Sequence, residues 1–368
     1  MEFVLRELCE QVMTARAGHR PLFVMGGGSK SFYGNYRAVT PQDGHCLLDM
    51  TPYNGIISYQ PSELVVTARA GTPLAMLEAV LDEQGQMLAF EPPHFGSTAT
   101  VGGCVAAGLA GPRRMAAGAV RDYVLGARLL DSQGRVLSFG GEVMKNVAGY
   151  DVSRLLAGSH GIFGAILDVS LKVMPRPYEE RTVRYDATEA QALQHFAAWR
   201  ARPLAVSASC WVPADGDEGC VTVRLSGAPA AVRAAARHIG GDEMDPADAQ
   251  RFWTSLREQT HPFFSRGLPL WRLALPPAAP GLGLDRPALI EWGGGQRWVS
   301  GNADAHAMRE LAQRLGGHAT LFRANGTATP DDGVFHPLSP GVAAITRRLK
   351  HELDPAGLFN PGRLVREL

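Results

Sequence analysis

Five cysteines (Cys9, Cys46, Cys104, Cys210 and Cys220) are present, and none forms a Cys-x-x-Cys pair. That scarcity excludes a disulfide-stapled scaffold and the usual zinc site, and it fits a chain kept in a reducing, cytoplasmic compartment. Neither charge is in excess: 36 basic residues meet 36 acidic ones. No global field therefore draws the chain to nucleic acid or to an anionic membrane surface. No apolar run approaches the ~18 residues of a membrane span, so attachment at the inner face of a cell membrane is expected only through partners. The start of the chain, with Glu2, Glu7 and Glu10 in a helical pattern, is unlike a signal peptide. Internal repeats and long low-complexity tracts are absent. The chain does have 368 residues, 45% of them hydrophobic, which is enough for two domains with buried cores. It also has 42 glycines, some in tight groups. Grouped glycines mark backbone that turns sharply or approaches a ligand closely.

Periodicity places the elements. Leu5, Leu8, Cys9 and Val12 recur at helical spacing, with Gly18 as a stop. Pro21 to Met25 reads as a buried strand running into a glycine loop. Residues 64–70 alternate as a strand. Thr72 as N-cap and Pro73 then open a helix with Leu74, Leu77 and Leu81 along its stripe and Gly85 at its end. Residues 124–130 and 135–139 form a hairpin around Asp131-Ser132-Gln133-Gly134, and 165–173 is a long strand with one buried face. Pro175-Arg176-Pro177 marks a domain boundary. Beyond it, Asp186 with Glu189 predicts a capped helix. Strands are expected at 205–212 and 220–225, helices at 228–239 and 304–315, and a loop at 276–283. Ser339-Pro340 starts a last helix with Val342, Ile345, Leu349 and Leu353 on one face, closed by Asp354-Pro355. The mixture is α+β.

Several segments carry the means for chemistry. Met25-Gly26-Gly27-Gly28-Ser29-Lys30-Ser31 lets successive backbone N–H groups converge on anionic oxygens. It is not a dinucleotide fingerprint, which needs Gly or Ala where Ser31 stands and a helix after it. It is not a P-loop, which needs Gly where Ser29 stands. Taken alone, it is equally well an ordinary turn. The run from Phe90-Glu91-Pro92-Pro93 to Val101-Gly102-Gly103 is a second stiff loop, with Ser97, Thr98 and Thr100 as short donors. Its His94 reads as a loop histidine holding a structural hydrogen bond, and Cys104 as a buried, inert thiol. Lys145 to Asp151, followed by Gly158, Gly161 and Gly164, offers backbone to a planar heterocycle or serves as a plain connection. Arg113-Arg114 is either a bidentate anion fork or solvated surface. Glu291 to Trp298 reads as a hairpin turn.

The order of these segments carries a resemblance that no single one does. The triple-glycine loop, Val65 to Gly71, Val101-Gly102-Gly103, Gly118 to Gly126, Lys145 to Gly164 and the closing Leu353 to Arg363 follow one another as in a known family. In series they resemble the FAD-binding proteins of the vanillyl-alcohol oxidase / p-cresol methylhydroxylase (PCMH) type. The likeness covers residues 20–175 and the last ~35. Within that family, Phe90-Glu91-Pro92-Pro93, Gly111-Pro112-Arg113-Arg114, Val143 to Asp151 and Glu291-Trp292-Gly293-Gly294 are similar to the E subunits of bacterial glycolate oxidases.

The resemblance implies an α+β fold in three parts. A two-subdomain FAD-binding domain covers 1–177 (subdomains 1–60 and 61–177), an α+β cap covers 178–330, and 331–368 return to the flavin. It assigns Gly26, Gly27, Gly28, Ser29 and Lys30 to the FAD diphosphate. Pro93, Ser97, Thr100, Gly102, Gly103, Gly158, Gly161, Ile162 and Gly164 are assigned to the rest of FAD, and Asn360 and Arg363 to the vicinity of the flavin. Members with histidyl-linked flavin often carry His in the glycine loop; here Lys30 follows Ser29, so non-covalent FAD is expected. Related 2-hydroxy-acid dehydrogenases carry a His-x-Gly-Asp-Gly-Asn-x-His run. Here His195, His238, His261, His306 and His318 stand singly, so no metal site is expected and no catalytic residue is assigned. The implied function is oxidation of glycolate, with D-lactate second, to the 2-oxo acid. It would proceed in a complex with a catalytic FAD subunit and an iron–sulfur subunit. Two other readings fit the residues: a stand-alone FAD oxidoreductase of another hydroxylated substrate, and an assembly subunit with a degenerate flavin site.

Overall fold

The computed structural model describes residues 1–35, 46–141, 151–214, 218–286 and 288–368. Three larger groupings of strands organise them, beside a short two-stranded pair, Gln86–Met87 with Met174–Pro175. Leu22–Met25 and Cys46–Asp49 pair in parallel, backed by the helix Glu2–Ala17, whose Leu8, Val12 and Ala15 are buried. A five-stranded antiparallel sheet follows, in the order Ile56–Gln60, Val65–Arg69, Ala165–Lys172, Val124–Leu130, Val136–Gly140. The helix Leu74–Asp82 buries Leu74, Leu77 and Leu81 in the same core, each contributing about 1.5–3 kcal/mol relative to exposure. The third sheet has eight antiparallel strands drawn from Glu179 to Arg323. The helices Glu189–Arg200 and Pro229–Ile239 lie on it, and Ala305–Arg314 packs beside its last strand.

The structure revises several sequence expectations. Ala165–Lys172 is buried on both faces, not one. It is the central strand, and its polar side chains meet partners on its neighbours: Arg128 Nε donates to Asp168 at 2.7 Å, and Thr67 and Ser170 hydroxyls lie 2.8 Å apart. Thr72 does not cap its helix. Pro73 holds that position, while the Thr72 hydroxyl accepts from the Gly55 amide at 2.9 Å. Asp186 lies within the strand Glu179–Thr188. The capping box is two residues later, Thr188 with Gln191, because pairing with Glu218–Gly227 runs on to Thr188. The helix Pro246–Arg257 was missed although it carries its own start signal: Asp245 accepts from Ala247 and Asp248 amides, and Pro246 occupies the first turn.

The C-terminal helix Pro340–Leu353 also differs from its apolar-stripe reading. Val342 and Ile345 are 50% and 59% exposed, and only its last turn reaches the core, through Leu349 and Leu353. The buried residue on it is Lys350. The Lys350 ammonium donates to Asp354 Oδ2 at 2.6 Å, the Ile162 carbonyl at 2.6 Å and the Phe359 carbonyl at 2.9 Å. Asp354 in turn accepts from the Leu358 and Phe359 amides at 3.0 and 2.8 Å. This cluster folds the chain back so that Phe359 pairs in parallel with Leu22.

Candidate functional site

The strand Leu22–Met25 is held on both sides, by Cys46–Asp49 and by Phe359, so it delivers the loop 26–30 in a defined direction. That loop lies against the backbone of Thr98 to Thr100. A Cβ on Gly26 would stand 2.2 Å from the Thr100 hydroxyl oxygen, and one on Gly27 1.5 Å from the Thr98 carbonyl oxygen. Only glycine fits this approach. The Thr98 hydroxyl donates to the Gly27 carbonyl at 2.5 Å. Gly28, at φ +70°, turns its carbonyl to the Ser31 hydroxyl at 2.7 Å and the Ser31 amide at 3.0 Å. With those carbonyls engaged, the amides are left over. Among the described residues, the N–H groups of Gly26, Gly27, Gly28, Ser29 and Lys30 have no protein acceptor. They border a cavity of about 410 Å³, and a run of unpaired amides of this kind is an anion-binding nest.

Lys30 turns inward rather than out over the loop. Its ammonium donates to the His94 carbonyl at 3.2 Å and the Ser29 hydroxyl at 3.4 Å, and burial holds its pKa below the ordinary lysine value. It pins the glycine loop to the segment before Thr98 while keeping positive charge beside the cavity. His94 itself is engaged structurally: its Nε2 lies 2.9 Å from Glu78 Oε2, and its amide donates to Glu258 at 3.0 Å. Cys104 is fully buried, and burial pushes its thiol up to about 12, which makes it inert.

The opposite wall comes from the returning C-terminus. Asn360, at φ +42°, accepts from the Val24 amide at 2.9 Å and donates to the His160 carbonyl at 2.6 Å. Arg363 donates to the carbonyls of Ser31 and Tyr33, both at 2.8 Å, bracing the loop from behind. The His160 ring faces Tyr33 and Phe335 at 5.0 and 5.2 Å between centroids. Burial, with the nearby Arg363 and Arg272, lowers its pKa from 6.5 to about 3. The unfolded chain protonates this imidazole below about pH 6.5, whereas the folded chain resists until about pH 3. The stability it contributes is therefore full above 6.5 and is lost as pH falls through that window. Thermal midpoints measured from pH 7 to pH 4 should fall less steeply for His160→Gln than for the parent. Parallel acid slopes would refute this role.

Not every residue assigned by resemblance reaches the cavity. Gly26 to Lys30, Thr100, Gly103, Asn360 and Arg363 line it. Gly102, Gly161 and Gly164 line an adjoining recess of about 60 Å³ that shares Gly26, Thr100, Gly103 and Asn360 with it. Ser97, Gly158 and Ile162 line neither, and Pro93 faces a separate small cavity. Gly158 allows the chain to cross Gly108, whose Cβ would stand 2.8 Å from it. Ile162 offers its carbonyl to Lys350. The Val101-Gly102-Gly103 segment is not a loop but opens the helix Val101–Ala107. Its first amides are consumed by Thr72, Ala70 and the Thr100 hydroxyl, and Gly102 is required by contact with Ala70, 2.5 Å from a would-be Cβ. Residues 145–150 of the third cluster lie outside the described residues.

Reading from the sequence missed Phe23, Leu47, Ala106, Ala107 and His160, all on the cavity wall. Ala106 and Ala107 follow Gly103 at helical spacing and were legible had that helix been recognised. Phe23 and Leu47 share the site only through strand pairing.

Two contacts fasten this region to the eight-stranded sheet. Arg113 is buried, not solvated, because carboxylates from both parts meet it. Its Nη2 donates to Glu180 at 2.6 Å, and its Nε lies 3.3 Å from Glu91. Arg224 completes the cluster at 2.8 Å from Glu91. Trp292, in the turn between the strands Leu289–Glu291 and Gln296–Ser300, donates its indole N–H to the Gly111 carbonyl at 3.1 Å. The turn is the hairpin read from the sequence.

The donor set suits the diphosphate of FAD. It has consecutive unpaired amides, a lysine at the edge and glycines that a Cβ could not replace. Fold and site define an FAD-binding protein of the PCMH type, and the FAD binding domain family matches residues 5–140. The chain is similar to glycolate oxidase subunit GlcE of Escherichia coli (strain K12), 45% identical over 98% of this chain and 97% of that one. It also resembles glycolate oxidase subunit GlcD of Bacillus subtilis (strain 168), 30% identical over 47% of this chain and 36% of that protein. Alkyldihydroxyacetonephosphate synthase shares the fold, with a TM-score of 0.67 at 16% identity over 97% of this chain and 74% of that structure. The chain belongs to the family of glycolate oxidase E subunits. No helix among the described residues is long and apolar enough to cross a membrane, and no group of three or more His, Cys, Asp or Glu among them is placed to hold a metal.

Proposed function

We propose that this chain is the FAD-holding E subunit of a glycolate oxidase complex. The carrying observation is the set of unpaired amides from Gly26 to Lys30 around the cavity closed by Asn360. Similarity over nearly the whole chain to a glycolate oxidase subunit supports the substrate class. In this reading Gly26, Gly27, Gly28, Ser29 and Lys30 hold the diphosphate without a covalent link. Thr100, Gly102, Gly103, Gly161 and Gly164 shape the adjoining wall. Asn360 and Arg363 fix the loop from the C-terminal side, and Pro93, Ser97, Gly158 and Ile162 act as supports. The FAD-binding domain runs to Pro177, the cap from 178 to 330, and the return segment from 331 onward.

Bound FAD supplies two-electron acceptance from the α-carbon of a 2-hydroxy acid. The chain's own residues bind and orient it. The partners are a catalytic FAD subunit and an iron–sulfur subunit that takes the electrons, and the assembly works in the cytoplasm or at the inner face of the membrane. The test is to purify the chain, precipitate it and read flavin absorbance in the supernatant, then assay glycolate with and without both partners. Free flavin near one per chain and turnover only with the partners are expected. A colourless protein would end the FAD reading. Full turnover by the chain alone would end the division of labour.

A further inference from the structure

Adjacent arginines in this chain have opposite fates. Arg113 is held by Glu91 and Glu180. Arg114 points into a different cavity, of about 460 Å³, walled on one side by the chain from Gly108 to Arg121 and on the other by the eight-stranded sheet. Arg121 and Arg272 line the same cavity. Among the described residues none of the three has a carboxylate or a hydrogen-bond acceptor as side-chain partner. Arg114 lies 4.5 Å over the Trp292 ring, and Arg272 lies 5.9 and 5.7 Å from the Tyr33 and Phe322 rings. Aromatic faces orient these guanidiniums without neutralising them. Asp122, whose charge Arg114 feels, is already engaged by the Ala119 amide at 2.8 Å.

Arg114 and Arg272 are half-buried, whereas Arg121 is exposed; half-buried cations left without a counter-ion are costly unless a ligand completes them. The repulsion is felt inside the cavity. Burial and then Arg272 lower the Arg114 pKa, and burial, Arg272, His336 and Arg114 lower that of His318, which also lines it. The remaining wall includes Met115, Leu275 and Trp292, so it favours an anion with a carbon skeleton over a bare inorganic ion.

We propose that this interdomain cavity is a second anion site, separate from the glycine-loop nest, which binds a small organic carboxylate through the guanidinium forks of Arg114, Arg121 and Arg272. Guanidinium pairs bidentately with carboxylate. A ligand held this way ties the FAD-binding part to the cap, since Arg114 and Arg121 come from one and Arg272 from the other. The assignment stands on the arginines alone. It rests on the glycolate reading only in the choice of glyoxylate as one probe.

The experiment is calorimetric titration of the FAD-loaded protein, with the nest filled, using oxalate, malonate and glyoxylate against phosphate and sulfate at equal ionic strength. Organic carboxylates are expected to bind at least about tenfold more tightly than the inorganic ions. Arg272→Gln and the double variant Arg114→Gln/Arg121→Gln should each weaken binding by about 10–100-fold while flavin content stays unchanged. Equal binding of phosphate, or undiminished carboxylate binding in both variants, would overturn the site. Carboxylate binding with no glycolate turnover by the assembled complex would leave the site standing and remove the glycolate reading.

Discussion

Gly27→Ala is expected to leave the purified protein without FAD. One added methyl group would stand 1.5 Å from the Thr98 carbonyl oxygen and 2.4 Å from its carbon, and neither backbone atom can swing aside as a side-chain end would. The loop must shift, at a cost on the order of 1–3 kcal/mol or more. The Thr98 hydroxyl bond to the Gly27 carbonyl would go with it. The amides would then no longer converge, and binding that depends on several aligned donors fails together. Gly28→Ala makes an informative companion. Its Cβ would meet nothing closer than 3.5 Å, but its φ is +70°, so the change carries backbone strain of roughly 1–3 kcal/mol with the donors kept in place. Flavin-to-protein absorbance ratios should rank parent first, Gly28→Ala second and Gly27→Ala last, with circular dichroism checking that each variant folds. Stoichiometric flavin in Gly27→Ala would show that this loop does not hold the diphosphate.

Asp354→Ala should be the most destabilising single change outside the apolar core. The Asp354 carboxylate is wholly buried against Lys350 and accepts two amides of the turn that carries Phe359. Removing it strands an ammonium in the interior, and breaking one side of a buried pair costs about 3–5 kcal/mol. The damage is not only global. Phe359 pairs with Leu22, and Asn360 holds Val24 and His160, so loosening this turn opens the far wall of the glycine-loop cavity. Urea unfolding should show the lowered midpoint, and FAD affinity should fall at denaturant-free conditions as well. Lys350→Met with Asp354→Leu, which removes both charges, should recover only part of the stability: the stranded ion is avoided, but the Ile162 and Phe359 carbonyls and the Leu358 and Phe359 amides lose their partners. A single Asp354→Ala protein as stable as the parent would mean the pair carries no weight.

The contrast between these two sites also separates what was legible from what was not. The glycine loop announces itself, because only Gly tolerates both close approach and positive φ, and its three residues are contiguous. The stripe Leu74, Leu77, Leu81 and the hairpin around Asp131 to Gly134 follow from local periodicity and turn chemistry, and both form as read. Lys350 was invisible as a core residue. A lysine in an amphipathic helix is ordinarily a solvent face, and its burial depends on Asp354 and on carbonyls from Ile162 and Phe359, one of them 188 positions away. The central strand was misjudged for the same reason. Asp168 and Ser170 look like a solvent face until Arg128 and Thr67 arrive from neighbouring strands.

By itself, then, the sequence determined the local elements, the ordered series of glycine segments and the FAD-binding family, since each rests on short-range sterics or on the linear order of residues. Tertiary structure alone decided which amides stay unpaired at the nest, which of Arg113 and Arg114 meets a carboxylate, and that Arg272, from the eight-stranded sheet, lines one cavity with Arg114 and Arg121. Those outcomes depend on which charges and backbone groups long-range pairing brings within a few ångströms, and nothing in local spacing encodes that distance.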